Sequence, residues 1–446
     1  MKNESILNLK LLGTLFVGAI FVYIFKLLWH KSDENDKDEN KEKSDKTVNK
    51  SNVTVVKAKK KTTVKYNKRG NKPPAFTHEM LCTTLKGHTE NVKCIDFSLN
   101  GKYLLSCSED QSIRMWSVKD FGSGNKCVRV NVEFDHANLV RFSPDNRAFI
   151  AGMHSKNSIQ VYKLGKKDDG ITTTCVPIEV DFPNYKESTL LNIGVGTSSS
   201  GGSFVMSAYQ DTCVIVHDLK GNPLHQINTN LSNNNWAQVS PCGRYIGVCG
   251  WTPDVKVYAV TFNRNGTYKQ VQDAFILQGH TTTVCSFAFN LDSTRMLTVS
   301  KDGTWRVFDT DIEWEKRQDS YLLHQGKLAF NSSDKLLCAL SSDSNCGVVC
   351  DSNSIQVFSI TTGKVEMEAN GLHQEMITSV AFDISGKYVL TTGDKFIRVF
   401  HNALNYKEKI RTLEISLKSA KNQALKERLT KQLSDCKNSL NKIIST

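Results

Sequence analysis

Two histidines and two aspartates recur in this 446-residue chain at one spacing. His88 precedes Asp110 by the same number of residues as His280 precedes Asp302, and each His follows a Gly, in Gly87-His88 and Gly279-His280. His373 stands almost as far before Asp394. His, Asp and an intervening Ser are the residue types of a hydrolase triad, in which an oriented base takes the proton of a nucleophile. A triad also needs an oxyanion site and an open pocket. Repetition of the set argues instead for buried donors and acceptors that satisfy one another inside a structural unit. Cys346 and Cys350 have no second Cys pair or His pair beside them, so a zinc site is not expected. There is no Walker loop, dinucleotide fingerprint or Gly-x-Ser-x-Gly elbow. Residues 194–202 are Gly- and Ser-rich but lack a phosphate-reaching Lys, and read as a surface loop. The expectation is a protein without catalytic residues, cofactor or metal.

The elements that carry these residues repeat as well. An apolar residue, a spacer, an apolar residue and an aromatic or His recur as Ile113-Arg-Met-Trp116, Ile159-Gln-Val-Tyr162, Val214-Ile-Val-His217, Val255-Lys-Val-Tyr258, Trp305-Arg-Val-Phe308, Ile355-Gln-Val-Phe358 and Ile397-Arg-Val-Phe400. Such a phrase suits a strand buried on both faces. An Asp lies three residues upstream in four of them: Asp110, Asp211, Asp302 and Asp394. There its carboxylate can accept from the backbone N–H groups of a tight turn. Hairpin signals such as Asn100-Gly101, Pro241-Cys242-Gly243 and Ser385-Gly386 join two further strand-like runs in each unit. A period of roughly 40–55 residues, with at least three strands per unit, is that of a β-propeller blade.

The first unit, Leu-Lys-Gly-His88 through Met-Trp116, resembles a WD40 repeat along its whole length. The resemblance implies an all-β, seven-bladed propeller over residues 76–402. It also implies a buried hydrogen-bonded set in the first blade, made of His88, Ser106, Asp110 and Trp116. In the fifth unit His280, Thr298 and Asp302 match the set, but Phe308 stands where the Trp would be. In the third unit His217 replaces the aromatic. Ring closure requires the chain start to complete the last blade, and Phe76 to Leu85 could supply its outer strand. Stretches such as Asp135-His-Ala-Asn-Leu-Val-Arg-Phe-Ser-Pro-Asp145 and Ser300-Lys-Asp-Gly-Thr-Trp305 are similar to membrane-anchored members of the family. That likeness implies the endoplasmic reticulum, the unfolded-protein response through a stress kinase that phosphorylates a translation initiation factor, and translation itself.

The ends have their own character. Leu11 to Phe25 carries no charge, and residues 10–29 reach the length of a membrane span if Lys10 and Lys26 snorkel. No small-x-small cleavage site follows, so residues 1–29 are expected to be an uncleaved anchor. Lys26, Lys31, Lys37, Lys41 and Lys43 on the carboxyl-terminal side outnumber Lys2 and Lys10, which puts the propeller in the cytosol. Asn230, Asn265 and Asn331 open sequons that would be glycosylated in a lumen. Residues 30–75 read as a charged, disordered linker. Residues 46–72 hold nine Lys plus Arg69 and no acid, ten of the net +12 charges. Within them Lys57, Lys59, Lys60, Lys61, Lys65, Lys68 and Arg69 form a possible patch for an anionic partner, RNA or a ribosome surface. A solvated spacer is the alternative. Residues 403–446 read as one amphipathic helix, from Ile410, Leu413 and Leu417 to Leu440 and Ile443, that docks on the propeller or associates with a partner or itself. The thirteen cysteines are odd in number and too sparse for a disulfide framework, so free thiols are expected.

Three functions follow as expectations. The first is a membrane-tethered protein-interaction scaffold. The second is a luminal or secreted propeller with a ligand in its central channel. The third is an RNA or ribosome adaptor acting through the Lys-rich linker.

Overall fold

The computed structural model describes residues 76–122, 126–166, 173–182, 187–328, 335–420 and 422–444. The expected anchor at 1–29, the linker at 30–75, the patch from Lys57 to Arg69 and the sequon at Asn331 lie outside the described residues. No helix among the described residues is long and apolar enough to cross a membrane.

Seven four-stranded antiparallel sheets form a seven-bladed propeller. Blades 1 to 6 are consecutive meanders over residues 92–131, 137–182, 190–228, 234–277, 284–327 and 336–369. Blade 7 takes three strands from residues 379–401 and its outermost strand from Leu81–Lys86. That strand pairs antiparallel with Phe396–His401, Leu81 opposite Phe400 and Lys86 opposite Phe396. The start of the described chain therefore closes the ring, as the sequence predicts.

The seven repeated phrases are the third strands of the seven blades. They are buried because one sheet cannot cover both of its own faces. A separate apolar cluster fills each of the seven contacts between neighbouring blades, the last one joining blade 7 to blade 1. The second strand of blade 1, Tyr103–Ser108, and the third strand of blade 3, Cys213–His217, have almost no exposed residue. Two expectations change. Residues 194–202 are not one surface loop: Gly194 to Thr197 belong to the innermost strand of blade 3, where Val239 packs on Gly194 and Phe204 on Gly196, and the turn is confined to 198–202.

The carboxyl-terminal segment is two helices rather than one: α1, Ala403–Ser419, and α2, Gln423–Ile444. Ala420 is extended, with ψ 123°. Asn422 starts α2, accepting the Ala424 N–H on Oδ1 and the Lys426 N–H on its carbonyl, each at 3.0 Å. α1 docks on blades 6 and 7, with Leu404, Asn405 and Glu408 buried. The Lys407 ammonium lies 2.6 Å from the Glu366 carboxylate.

Candidate functional site

In a meander, alternate connections emerge at opposite ends of the sheet. The links between blades and the turns from second to third strands therefore share one face of the ring. The turns from first to second strands lie on the other.

The connection face carries the His–Asp pairs. In blade 1 the His88 Nδ1 is 2.9 Å from Asp110 Oδ2, and its Nε2 is 2.8 Å from Ser106 Oγ. The Trp116 indole N–H donates to the same Ser106 oxygen at 2.9 Å. Burial pushes the His88 pKa down, a loss that Asp110 only partly offsets, so the ring is neutral at pH 7. A neutral ring orders the protons: indole to Ser106, Ser106 hydroxyl to Nε2, and Nδ1–H to the carboxylate. Burial acts to raise the Asp110 pKa, but the bonds from His88 and Ser112 outweigh it and hold the carboxyl well below its usual range. Asp110 also accepts from the backbone N–H groups of Thr89 and Ser112, at 3.1 and 3.0 Å. One carboxylate thus fixes the incoming link and the turn into the third strand.

The atoms of a hydrolase triad are in place, but the chemistry is not available. Ser106 is fully buried and its oxygen is already occupied by the indole. No substrate carbonyl can approach it.

Blade 5 repeats the set without its last member. His280 Nδ1 lies 2.9 Å from Asp302, and Nε2 lies 2.9 Å from Thr298 Oγ1. Phe308 offers no donor. Blade 7 holds a third set that only the position of His373 foreshadowed. His373 contacts Asp394 and Thr391, each at 3.0 Å. The Arg398 guanidinium adds an ion pair to Asp394 at 3.2 Å. From His to hydroxyl the separation is 18 residues in all three sets, which is the signal that could have found Thr391. Blade 3 solves the missing indole differently: His217 Nε2 sits 2.8 Å from Ser207 Oγ, and burial pushes the imidazole down to about 4.

The Gly before His88 and the Gly before His280 have a steric cause. A Cβ on Gly87 would lie 2.9 Å from the Arg114 guanidinium, and one on Gly279 would lie 2.3 Å from that of Arg306. Arg114 and Arg306 come from the third strands opposite Ser106 and Thr298.

On this braced face three large apolar residues are bare. Phe134, in the link from blade 1 to blade 2, is 92% exposed. Trp251, after the second strand of blade 4, is 64% exposed, and Met376, in the link from blade 6 to blade 7, is 58% exposed. Phe134 also has a positive φ of 62°, an uncommon conformation for an aromatic residue. Its neighbour Asp135 is buried and holds the loop to the backbone N–H groups of Ser155 and Lys156, at 3.1 and 3.2 Å. The loop is held in a shape that turns Phe134 outward.

The opposite face is stitched. In every blade the fourth residue of the first turn donates its N–H to the carbonyl of the first, from Gly101 to Ser98 at 2.8 Å through Gly386 to Asp383 at 2.9 Å. Some of these turns also reach their neighbours, as where the Cys242 N–H donates to Ser293 Oγ at 3.1 Å.

At the centre, the innermost strands surround a cavity of about 280 Å³. Among the described residues that line it, Asp96 is the one carboxylate. Burial raises its pKa to about 6, against the pull of Arg141. Arg141 donates to Cys94 Sγ at 2.9 Å and to Asn192 Oδ1 at 3.1 Å. The convergent acids that a channel-based reaction calls for are not there among the described residues. None of the thirteen cysteines is in a disulfide, and eight are buried.

Seven meander blades, three of them braced by a buried His–Asp pair, define a WD40-type β-propeller. The family described as "WD domain, G-beta repeat" matches residues 79–117, 272–309 and 371–401, the stretches that carry the three His–Asp sets. Transducin beta-like protein 2 of Mus musculus is 42% identical over 82% of this chain and 82% of its own length. The Homo sapiens protein of the same name is also 42% identical, over 82% of this chain and 81% of its own. Eukaryotic translation initiation factor 3 subunit I of Saccharomyces cerevisiae is 26% identical over 36% of this chain and half of that protein. The chain belongs to the WD40 repeat family, in the branch of transducin beta-like protein 2. Propellers of this family are in general non-enzymatic platforms for binding proteins, and no catalytic family matches.

Proposed function

We propose that this protein is a membrane-tethered scaffold of the endoplasmic reticulum that turns its propeller to the cytosol. Its connection face would gather a stress kinase of the unfolded-protein response and components of translation. One observation carries the reading: Phe134, Trp251 and Met376 stand bare on a face whose backbone is fixed by buried carboxylates. Exposed aromatic residues on a rigid frame are the usual anchors of a protein interface, because little entropy is lost when they are covered. The apolar, Lys-bounded segment at residues 10–29 supports the tether. Likeness to a translation initiation factor subunit supports the link to translation.

The test is capture of the stress kinase from membranes by the full chain and by its Phe134→Ala/Trp251→Ala variant. Both substitutions are at exposed positions and should leave thermal unfolding unchanged. Loss of two anchors should weaken capture by about tenfold or more. Undiminished capture by the double variant would remove this face from the interaction.

A further inference from the structure

The chain enters the ring and leaves it on the same side. At the entry, Phe76 packs edge-on against Phe400 with ring centroids 6.2 Å apart. The Arg398 guanidinium lies 5.3 Å from the Phe76 ring centre, and His78 Nε2 is 3.4 Å from the Glu368 carbonyl. These contacts put residue 76 at the rim of blades 6 and 7. At the exit, Asn402 donates to the Gly386 carbonyl at 2.9 Å, and Lys407 pairs with Glu366. α1 is therefore rooted on the same two blades. α2 returns along α1, joined to it by Lys437 and Glu414 at 3.0 Å.

The hairpin of α1 and α2 is left largely uncovered. No residue of α2 is buried, and Ile415, Leu425 and Ile444 are 60%, 44% and 61% exposed. Charge is segregated onto it. Residues 403–446 hold ten Lys and Arg against four Asp and Glu, whereas residues 76–402 hold thirty against thirty-three. Lys418, Lys426, Arg428 and Lys431 are all exposed. Two copies of so basic a hairpin repel one another, so a second copy is a poor occupant.

We propose that the α1–α2 hairpin lies against the anionic headgroups of the membrane that holds the amino-terminal anchor. The proposal rests on the anchor reading and adds a second, electrostatic contact to it. A basic amphipathic helix is attracted to anionic lipid, and the attraction fades beyond a Debye length of about 8 Å at physiological salt. Proximity must therefore come from the tether. If the linker expected at residues 30–75 is a random coil, it would reach about 40 Å, comparable with the roughly 33 Å length of a helix like α2. Phe76 and the root of α1 lie on the same two blades, so a tether arriving at Phe76 would bring the hairpin within that reach of the bilayer. Tethering makes this second contact intramolecular, so even a weak attraction suffices.

The test uses the full chain with vesicles of phosphatidylcholine alone and with vesicles containing added phosphatidylserine. Flotation on the neutral vesicles reads the anchor. Amide exchange over residues 423–444 reads the hairpin, and the two can fail separately. The expected result is exchange slowed several-fold by phosphatidylserine vesicles relative to neutral ones. The difference should vanish at high salt and in the Lys418→Glu/Lys426→Glu/Arg428→Glu/Lys431→Glu variant, whose helical circular dichroism should match the parent. Equal exchange with the two lipids overturns the proposal. Protection by polyglutamate but not by phosphatidylserine vesicles also overturns it, in favour of an acidic protein partner.

Discussion

Asp110, Asp302 and Asp394 occupy equivalent places, yet their surroundings differ. Asp110 accepts from a neutral His, a Ser and two backbone N–H groups, and its side chain is 4% exposed. Asp394 pairs with His373 and also with the Arg398 guanidinium, which is itself 9% exposed. Removing Asp110 strands polar groups, whereas removing Asp394 strands a buried cation too. Asp110→Ala should therefore cost about 1–3 kcal/mol, as unsatisfied buried partners do. Asp394→Ala should cost about 3–5 kcal/mol, as broken buried ion pairs do. Chemical denaturation followed by tryptophan fluorescence measures both. Equal losses would mean that Arg398 finds compensation elsewhere. Ser106, for its part, shows how a triad of catalytic composition becomes structural once the indole of Trp116 occupies the nucleophile's oxygen.

The blade is the element that these residues serve, and its turns decide how closely neighbours approach. Gly243 has φ +69°, and a Cβ there would stand 2.3 Å from the Thr197 carbonyl oxygen of the adjacent blade. Gly303 has φ +76° with nothing within 4 Å of such a Cβ. Gly303→Ala should thus cost only the left-handed backbone penalty of about 1–2 kcal/mol. Gly243→Ala should cost about 1–3 kcal/mol more, because the backbone of blade 3 must move. Comparing the two melting temperatures checks this, and equal shifts would contradict a tight contact between blades 3 and 4. The blade was also the most legible element in the sequence. Seven phrases mark seven third strands because those strands are buried on both faces and tolerate only apolar spacing. Asp211 and Asp394 sit three residues before theirs and accept the N–H groups of Cys213 and Phe396, at 3.0 and 2.8 Å. The Thr391 set was harder to read, since one residue fewer separates His373 from Asp394 and Phe400 replaces the indole. No Gly or Pro marks the break between α1 and α2, because an Asn cap makes it. Its trace in the sequence is a one-residue slip of the apolar stripe near Ala424. The bare face could not be read at all. Phe134 and Trp251 look like core residues in a sequence, and only the fold turns them outward.

At the scale of the whole molecule, one ring separates two tasks. The stitched face and the blade contacts hold the shape, while the connection face presents bare apolar residues. The strand at Leu81–Lys86 ties the start of the described residues to the last blade and so closes the ring. Everything proposed for the protein depends on which side of a membrane that ring occupies. Asn230 and Asn265 are both exposed, so a luminal ring would offer two accessible sequons. The direct measurement is protease protection of the full chain in sealed microsomes, combined with glycosidase treatment. A cytosolic scaffold predicts digestion of the propeller without detergent and no shift on deglycosylation. Full protection of the propeller, with glycan removed from Asn230 or Asn265, would contradict it.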